Sequence, residues 1–171
     1  MIGNDVVDLA LAKTESNWKR KGFLQKIFTQ NEQSFILNTK NPEIKVWELW
    51  SRKEAAYKIW NRKTGIRLFN PIRFECFDET PESGKVSFEN QTYFTKTIIS
   101  GENIETVAVC QKSDLERVVF HQNRMGIVKE NGIPFLDNKP ISISHHGRFE
   151  SIVSIYNPSL DLSFRNRSPR L

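Results

Sequence analysis

The spacing of apolar residues predicts helices in the first third of the chain, after one short strand at residues 2–9. From Asn17 to Phe28 the apolar residues recur at close to helical spacing. Thr29 followed by Glu32 is a capping-box pattern, so a second short helix is predicted to begin there and to end near residue 37.

The longest predicted element is a helix from about residue 42 to residue 63. Pro42 suits the first helical turn, and no helix breaker follows before Gly65. Beyond Gly65, β-branched and aromatic runs alternate with turn residues, which is typical of strands. Strands are predicted at residues 66–77, 85–88, 92–99 and 104–110, residues 114–119 fit helix or strand, and residues 140–144 and 151–156 form a closing hairpin. Helices that precede the strands rather than alternate with them indicate an α+β fold.

Composition adds a packed core and a basic surface to this picture. The 171 residues suggest one domain, or one domain with a large insertion, and twelve Phe and four Trp supply large buried surfaces. The net charge of +5 favours an anionic partner, which could be a nucleic acid, a polyphosphate metabolite or an acidic protein. No membrane span, secretion signal, metal-ligand cysteine spacing or disulfide framework is visible, so a cytoplasmic location is expected.

The long predicted helix carries a charged pair within an aromatic stripe. Residues three and four apart share a helix face, so Glu54 and Lys58 are neighbours there. One interpretation is an exposed ion pair worth about 0.2–0.5 kcal/mol. The other is that basic residues hold a ligand on which Glu54 acts. The stripe with Glu54 contains Trp47, Trp50, Lys58 and Asn61, and the adjacent stripe contains Val46, Leu49, Lys53, Tyr57 and Trp60.

Two further polar groups interrupt predicted strands. Asp5 follows Gly3 in the first strand, where Asp is rare, and a carboxylate at a strand end is a common metal-ligand position. A turn or cap is the alternative, and it suits Asp8 in particular. Near the end of the chain, Ser144 and His145 lie in the run I-S-I-S-H-H-G.

The serines of that run, Ser142 and Ser144, share one strand face, with His145 at the edge. Hydroxyls and a histidine there could bind phosphate oxygens, although a polar hairpin with no ligand is equally compatible. A serine-hydrolase site is not supported, because adjacent strand residues point to opposite faces and no G-x-S-x-G occurs. With them, Asp5 and Glu54 could hold Mg²⁺, and Lys53, Lys58 and His145 could bind the phosphates that share the ion.

In this order, the three polar groups resemble the 4′-phosphopantetheinyl transferases. The shared motifs are G-x-D near the N-terminus, W-x-x-K-E-A-x-x-K on a helix and S-x-S-H near the end. The run from Gly22 to Glu32 resembles the holo-acyl-carrier-protein synthase subgroup. The resemblance implies a single half-domain within residues 1–160, with a long helix packed on an antiparallel sheet and a β-rich insertion at about residues 66–130. Residues 161–171 would form a basic tail.

The resemblance also implies an activity. The enzyme would move the phosphopantetheine arm of coenzyme A to a serine of an acyl or peptidyl carrier protein, releasing 3′,5′-ADP. Asp5 and Glu54 match the Mg²⁺ ligands, and Glu54 is the candidate to take the serine proton, directly or through a metal-bound water. Lys58 matches a phosphate-binding lysine, and His145, with Ser144 beside it, matches a contact to coenzyme A phosphate. The carrier proteins are acidic, which suits a basic enzyme.

The sequence departs from the larger, monomeric subgroup at Val7, where that subgroup has a second acid. The acid here is Asp8, which would face away from Asp5 on a regular strand and is expected to support the site or cap a helix. The larger subgroup builds its site from two half-domains of one chain, whereas each motif occurs once here. The resemblance therefore implies a homotrimer, as in the small subgroup, in which Ser144 and His145 of one subunit meet Asp5 and Glu54 of another.

Two other functions remain open at this stage. A basic module without activity would bind nucleic acid or acidic protein through residues such as Lys19, Arg20 and Lys21. The basic residues are dispersed and no nucleic-acid motif is visible, so neither nucleic acid nor a membrane is expected as a partner. An inactive relative that only binds coenzyme A is the third possibility, which the presence of Asp5, Glu54 and Lys58 disfavours.

Overall fold

The computed structural model describes residues 1–156 and confirms the α+β class. The basic tail predicted at residues 161–171 lies outside the described residues. The helices are α1 (Leu9–Glu15), α2 (Phe23–Ile27), α3 (Gln30–Asn38) and α4 (Pro42–Thr64), with short 3-10 helices at Pro71–Arg73 and Lys112–Arg117. The strands are β1 (Ile2–Asp8), β2 (Glu75–Asp78), β3 (Ser83–Phe88), β4 (Gln91–Ile99), β5 (Asn103–Val109), β6 (Val118–Phe120), β7 (Ile127–Glu130), β8 (Ile133–Leu136), β9 (Lys139–Pro140), β10 (Ser142–His146) and β11 (Phe149–Ile155).

The strands form three antiparallel sheets. The largest has the order β1-β5-β4-β3-β2, so the first strand of the chain pairs with β5, and Asp5 lies opposite Thr106. A second sheet has the order β10-β11-β6, and the third has the order β7-β8-β9. Side chains of β10 join the free edge of β1, which brings the two ends of the described chain together.

Helix α4 packs along the large sheet and supplies many of the buried apolar side chains of the core. Asn41 caps its N-terminus by accepting the Ile44 N–H, and Gly65 ends it in the left-handed conformation at φ +73°. The buried face of α4 meets a cluster of aromatic rings in which Phe74 and Phe88 stack with centroids 4.0 Å apart. The predicted long helix on an antiparallel sheet is therefore confirmed.

The β-rich character expected of residues 66–130 is observed, and the insertion predicted there stays a prediction. Four of its strands, β2 to β5, make up the large sheet together with β1. Residues 66–70 have no regular structure, and Pro71 then opens the 3-10 helix that ends at Arg73. Of the strand predicted over residues 66–77, only the end is therefore observed, as β2. Among the described residues, no helix is both long and apolar enough to cross a membrane.

Gly3 is required where β1 passes under α4. A Cβ at this position would overlap the backbone carbonyl oxygen of Ala55 and would lie 3.1 Å from Cγ1 of Ile59. The close approach of strand and helix depends on the missing side chain.

We therefore expect Gly3→Ala to lower the free energy of unfolding by about 2–4 kcal/mol, because α4 must move off β1. Chemical denaturation measures this change. Gly101→Ala is the matched control, since a Cβ there meets nothing within 4 Å, and it should leave the stability nearly unchanged. Equal effects of the two substitutions would show that the contact between Gly3 and α4 is unimportant.

Candidate active site

Asp5, Glu54 and Lys58 form a charged cluster between β1 and α4. The Nζ atom of Lys58 lies 3.6 Å from Oδ1 of Asp5 and donates to the backbone carbonyl oxygen of Asn4 at 2.6 Å. Glu54 lies one helical turn before Lys58 on the same face of α4. The structure thus brings together three of the side chains that the sequence selected.

Burial disturbs the protonation of all three groups. Burial, reinforced by the neighbouring charge of Asp5, raises the pKa of Glu54 to about 7, although Lys58 opposes the shift. Burial also raises the pKa of Asp5, against the opposing effects of Lys58 and Ser144, and it lowers the pKa of Lys58. Such a cluster of shifted groups beside a cavity is typical of a functional site.

The serine-rich strand β10 supplies the fourth member of this cluster. The Ser144 hydroxyl donates to Oδ1 of Asp5 at 3.0 Å and accepts the backbone N–H of Val6 at 3.2 Å. Ser142 accepts the backbone N–H of Asn4 in the same way at 3.1 Å. Side chains of β10 therefore replace the strand that would otherwise close this edge of β1, and they hold Asp5 in place.

The two adjacent histidines have different surroundings. His145 is exposed, on the strand side opposite Ser144, and it lines the cavity described below. His146 shares the face of Ser144, and its Nδ1 accepts the backbone N–H of Asp8 at 2.9 Å. His146 was not predicted as a site residue from the sequence, although the two-residue repeat of the strand places it on the same face as Ser142 and Ser144.

A cavity of about 460 Å³ opens beside the charged cluster. Asp5 and Glu54 lie in its wall together with His145 and His146. The remaining wall is mainly apolar and includes Val6, Val7, Ala12, Phe23, Ile27, Trp47 and Trp50, with Ser16 and Arg20 as further polar members. A mainly apolar cavity with a few converging polar groups is the usual form of a small-molecule site.

Lys53 does not belong to this site, so the prediction that it binds phosphate is wrong. Its side chain is fully buried, and Nζ lies 2.8 Å from the carboxylate of Glu32 and donates to the backbone carbonyl of Phe74. Lys53 precedes Glu54 by one residue on α4, and its side chain points to α3 and to the segment before β2 instead of the cavity. Burial leaves no face of the ammonium group available to a ligand.

Asp8 is a helix cap, which was one of the two roles expected of it. Its carboxylate accepts the backbone N–H groups of Ala10 and Leu11 at the start of α1. The same carboxylate is bound by Arg148, which holds the pKa of Asp8 well below its usual range.

The contact between Ser144 and Asp5 lies within one chain, which corrects the premise of the trimer prediction. That prediction assumed that Ser144 of one subunit reaches Asp5 of another, whereas the two side chains are 3.0 Å apart in a single subunit. No second subunit is needed to bring these groups together. A homotrimer stays a prediction, and sedimentation tests it.

The carboxylates offer a limited set of metal ligands. Within residues 1–156, no group of three or more His, Cys, Asp and Glu side chains is arranged to hold a metal ion. Asp5 and Glu54 are nevertheless a suitable pair for Mg²⁺, which binds to one or two carboxylates and completes its shell with water and substrate phosphates. Burial and, after it, repulsion from Asp5 raise the pKa of Glu54, and a bound cation would relieve the repulsion.

Comparison with known proteins agrees with this fold. A holo-[acyl-carrier-protein] synthase from Carboxydothermus hydrogenoformans is 28% identical over 115 residues, which cover 63% of this chain and 93% of that protein. The synthase from Protochlamydia amoebophila is 37% identical over 59 residues, 33% of this chain, so the alignment spans about half of that relative (47%). The solved structure of the synthase from Neisseria meningitidis has a TM-score of 0.54 at 16% identity, covers 65% of this chain and 97% of that one, and shows a similar fold.

A family model also matches the N-terminal two thirds of the chain. The model of the 4′-phosphopantetheinyl transferase superfamily matches residues 1–111, and it therefore includes the cluster of Asp5, Glu54 and Lys58. It also includes strands β2 to β5, which the sequence analysis had assigned to an insertion. Because the match covers more than half of the 171 residues, the chain belongs to the 4′-phosphopantetheinyl transferase superfamily.

Proposed function

We propose that the protein transfers the 4′-phosphopantetheine arm of coenzyme A to a serine of an acyl or peptidyl carrier protein, with Mg²⁺, and releases 3′,5′-ADP. The observation that carries the proposal is the cluster of Asp5, Glu54 and Lys58 in and beside a cavity that His145 also lines. Membership of the superfamily supports it, as do relatives whose names describe the same transfer. The cytoplasmic location expected from the sequence stays a prediction.

Glu54 takes the proton of the carrier serine in this mechanism. The serine oxygen attacks the phosphorus that bears the pantetheine arm, and a new phosphate ester forms. The bond from that phosphorus to the oxygen of 3′,5′-ADP breaks, and the leaving phosphate keeps the electron pair. In the metal-free protein the pKa of Glu54 is about 7, so the group exchanges protons near neutral pH, and a bound Mg²⁺ would lower this pKa.

The other groups bind and orient coenzyme A. Lys58 supplies positive charge beside Asp5 for the phosphates, and His145 offers a ring nitrogen at the cavity wall. Ser144 holds Asp5 through its hydroxyl and can only share in phosphate binding if that hydrogen bond is exchanged. Bound by Asp5 and Glu54, Mg²⁺ would supply the charge that neutralises the pyrophosphate.

The basic surface of the protein supports an acidic carrier as the second substrate. The chain has a net charge of +5, and complementary charge accelerates the encounter of two proteins. Formation of 3′,5′-ADP from coenzyme A, only when both an apo carrier protein and Mg²⁺ are present, is the direct test. Chromatography of the nucleotides measures it, and release of 3′,5′-ADP without a carrier would indicate hydrolysis instead of transfer.

The affinity for Mg²⁺ is expected to rise with pH. Protons compete with the metal for Glu54, whose pKa of about 7 leaves the group mostly protonated at pH 6 and mostly ionised at pH 8. Titration calorimetry without coenzyme A should therefore give a dissociation constant about tenfold higher at pH 6 than at pH 8. A constant value over this range would contradict the assignment of Glu54 as a ligand.

A further inference from the structure

We propose that Arg148 is a positioning residue of the active site, because it locks the turn that follows His145 to the end of the strand that carries Asp5. This inference rests on the proposed function. Neither the superfamily resemblance nor the charged cluster assigns any role to Arg148, which lies in the turn between β10 and β11.

Arg148 forms a two-pronged hydrogen-bonded ion pair with the carboxylate of Asp8. Nε donates to Oδ2 of Asp8 at 2.9 Å, and Nη2 donates to Oδ1 at 3.0 Å. The backbone N–H of Arg148 adds a third bond to Oδ2 at 3.1 Å, and Nη1 reaches Glu102 at 3.1 Å. A two-pronged contact of this kind sets the orientation as well as the distance of its partners.

Asp8 connects three elements at this point. Its carboxylate caps α1, its backbone N–H donates to His146, and Arg148 covers the remaining lone pairs. Only 1% of Asp8 is exposed to solvent, so its charge depends on these partners rather than on water. The end of β1, the start of α1 and the turn of the hairpin are thereby held as one unit.

The turn itself is shaped to receive Asp8. Gly147 has a φ of +56°, which favours glycine, and a Cβ there would lie 2.5 Å from Oδ2 of Asp8. The chain therefore passes over the carboxylate without a side chain between them. This close fit places the backbone N–H of Arg148 within reach of Asp8.

The consequence for the site follows from the positions of the neighbours. His145 lies two residues before Gly147 in the cavity wall, and Asp5 lies three residues before Asp8 on β1. At the other end of the contact, Asn4 donates its backbone N–H to Ser142 and its side-chain amide to Ser151. Arg62 of α4 also donates there, to the backbone carbonyl oxygens of Ile2 and Ile141. At the cavity end, Ser144 donates to the Asp5 carboxylate, and His146 accepts the backbone N–H of Asp8. Arg148 adds the ion pair with Asp8 to these two bonds, and through it the turn after His145 is fixed relative to Asp5.

The test compares Arg148→Met and Arg148→Lys with Arg124→Met. Arg124 is a matched control, because it also forms a two-pronged pair with a carboxylate of this hairpin, that of Glu150, and no contact among residues 1–156 joins Arg124 to β1. We expect Arg148→Met to weaken coenzyme A binding about tenfold by calorimetry, and to raise KM for coenzyme A with kcat changed less than threefold. For Arg148→Lys we expect an affinity and a KM between those of the wild type and of Arg148→Met, since an ammonium group cannot form the two-pronged contact. Arg124→Met should change neither constant by more than twofold.

Hydrogen exchange provides a readout that does not depend on activity. In Arg148→Met the backbone N–H of Asp8 should exchange at least tenfold faster than in the wild type, whereas Arg124→Met should leave it unchanged. Faster exchange with unaltered coenzyme A affinity would show a structural brace and overturn the positioning role. Unaltered exchange would overturn the lock itself. A wild-type protein that binds no coenzyme A would instead refute the proposed function. The exchange rate of the Asp8 N–H would still test whether Arg148 fixes the turn to β1.

Discussion

Replacing Glu54 with Gln is expected to lower the rate of phosphopantetheine transfer by about 10²–10⁴-fold, the usual contribution of a general base. Gln cannot accept the proton of the carrier serine, and its amide is a poorer Mg²⁺ ligand than a carboxylate. Steady-state kinetics with saturating coenzyme A and carrier measures the loss in kcat. Glu130→Gln, at an exposed acid of β7 outside the cavity, should retain the wild-type rate.

The same substitution is expected to stabilise the metal-free protein. The folded state raises the pKa of Glu54 to about 7 from the ordinary 4.5, so the wild type loses stability as pH rises from about 4.5 through about 7. Gln does not titrate. At pH 8 and without Mg²⁺, Glu54→Gln should therefore raise the free energy of unfolding by about 1–2 kcal/mol, allowing for partial solvent screening.

Denaturation at pH 8 and at pH 5 separates this effect from a general change in packing. The gain should be present at pH 8 and should vanish at pH 5, where Glu54 of the wild type is protonated. An inactive variant that is also less stable at pH 8 would indicate a damaged fold, and the kinetic loss could then not be assigned to proton transfer. A fully active variant would remove Glu54 from the mechanism.

Lys53→Met is expected to destabilise the protein by about 3–5 kcal/mol, because it leaves the buried carboxylate of Glu32 without a counter-ion. The Glu32 carboxylate also accepts the backbone N–H groups of Thr29 and Cys76, both at 2.8 Å, so it ties the start of α3 to the edge of the large sheet. Without Lys53 the carboxylate must be protonated or the region must open. Urea denaturation measures the loss.

Two comparisons assign this loss to the ion pair. Lys63→Met, at an exposed lysine of the same helix, should change the stability by less than about 0.5 kcal/mol. The double variant Glu32→Gln with Lys53→Met should recover part of the stability, since no uncompensated charge remains. If Lys53 bound phosphate instead, Lys53→Met would weaken coenzyme A binding at nearly unchanged stability.

The long helix and most strands of the large sheet could be predicted because their signals are local. Pro42 and Gly65 mark the ends of α4, and alternating apolar residues mark β3 to β5. The helix predicted over residues 17–28 was too long, since Gly22 adopts φ +84° and starts α2 there. Helix α1 was missed as an element, because its seven residues carry little periodic signal beyond the cap at Asp8.

The candidate site could be predicted only in part, since its members come from opposite ends of the chain. Asp5, Glu54 and Lys58 stood out as polar groups within apolar patterns, and the structure brings them together. Lys53 was misassigned, although it belongs to the stripe of Val46, Leu49, Tyr57 and Trp60, whose apolar character indicates burial. Its partner Glu32 lies 21 residues away, and only tertiary structure shows the pair.

Transfer of the phosphopantetheine arm to a carrier serine increases the mass of the carrier protein, so this mass is the most direct test of the proposed activity. An apo carrier protein, coenzyme A and Mg²⁺ are incubated with the wild-type protein, and intact-mass spectrometry follows the carrier. We expect the carrier to gain the mass of one phosphopantetheine group, and we expect no gain when the carrier serine is changed to Ala and a much smaller fraction of modified carrier with Glu54→Gln. An unchanged mass for acyl and peptidyl carriers alike, with folded wild-type protein, would contradict it.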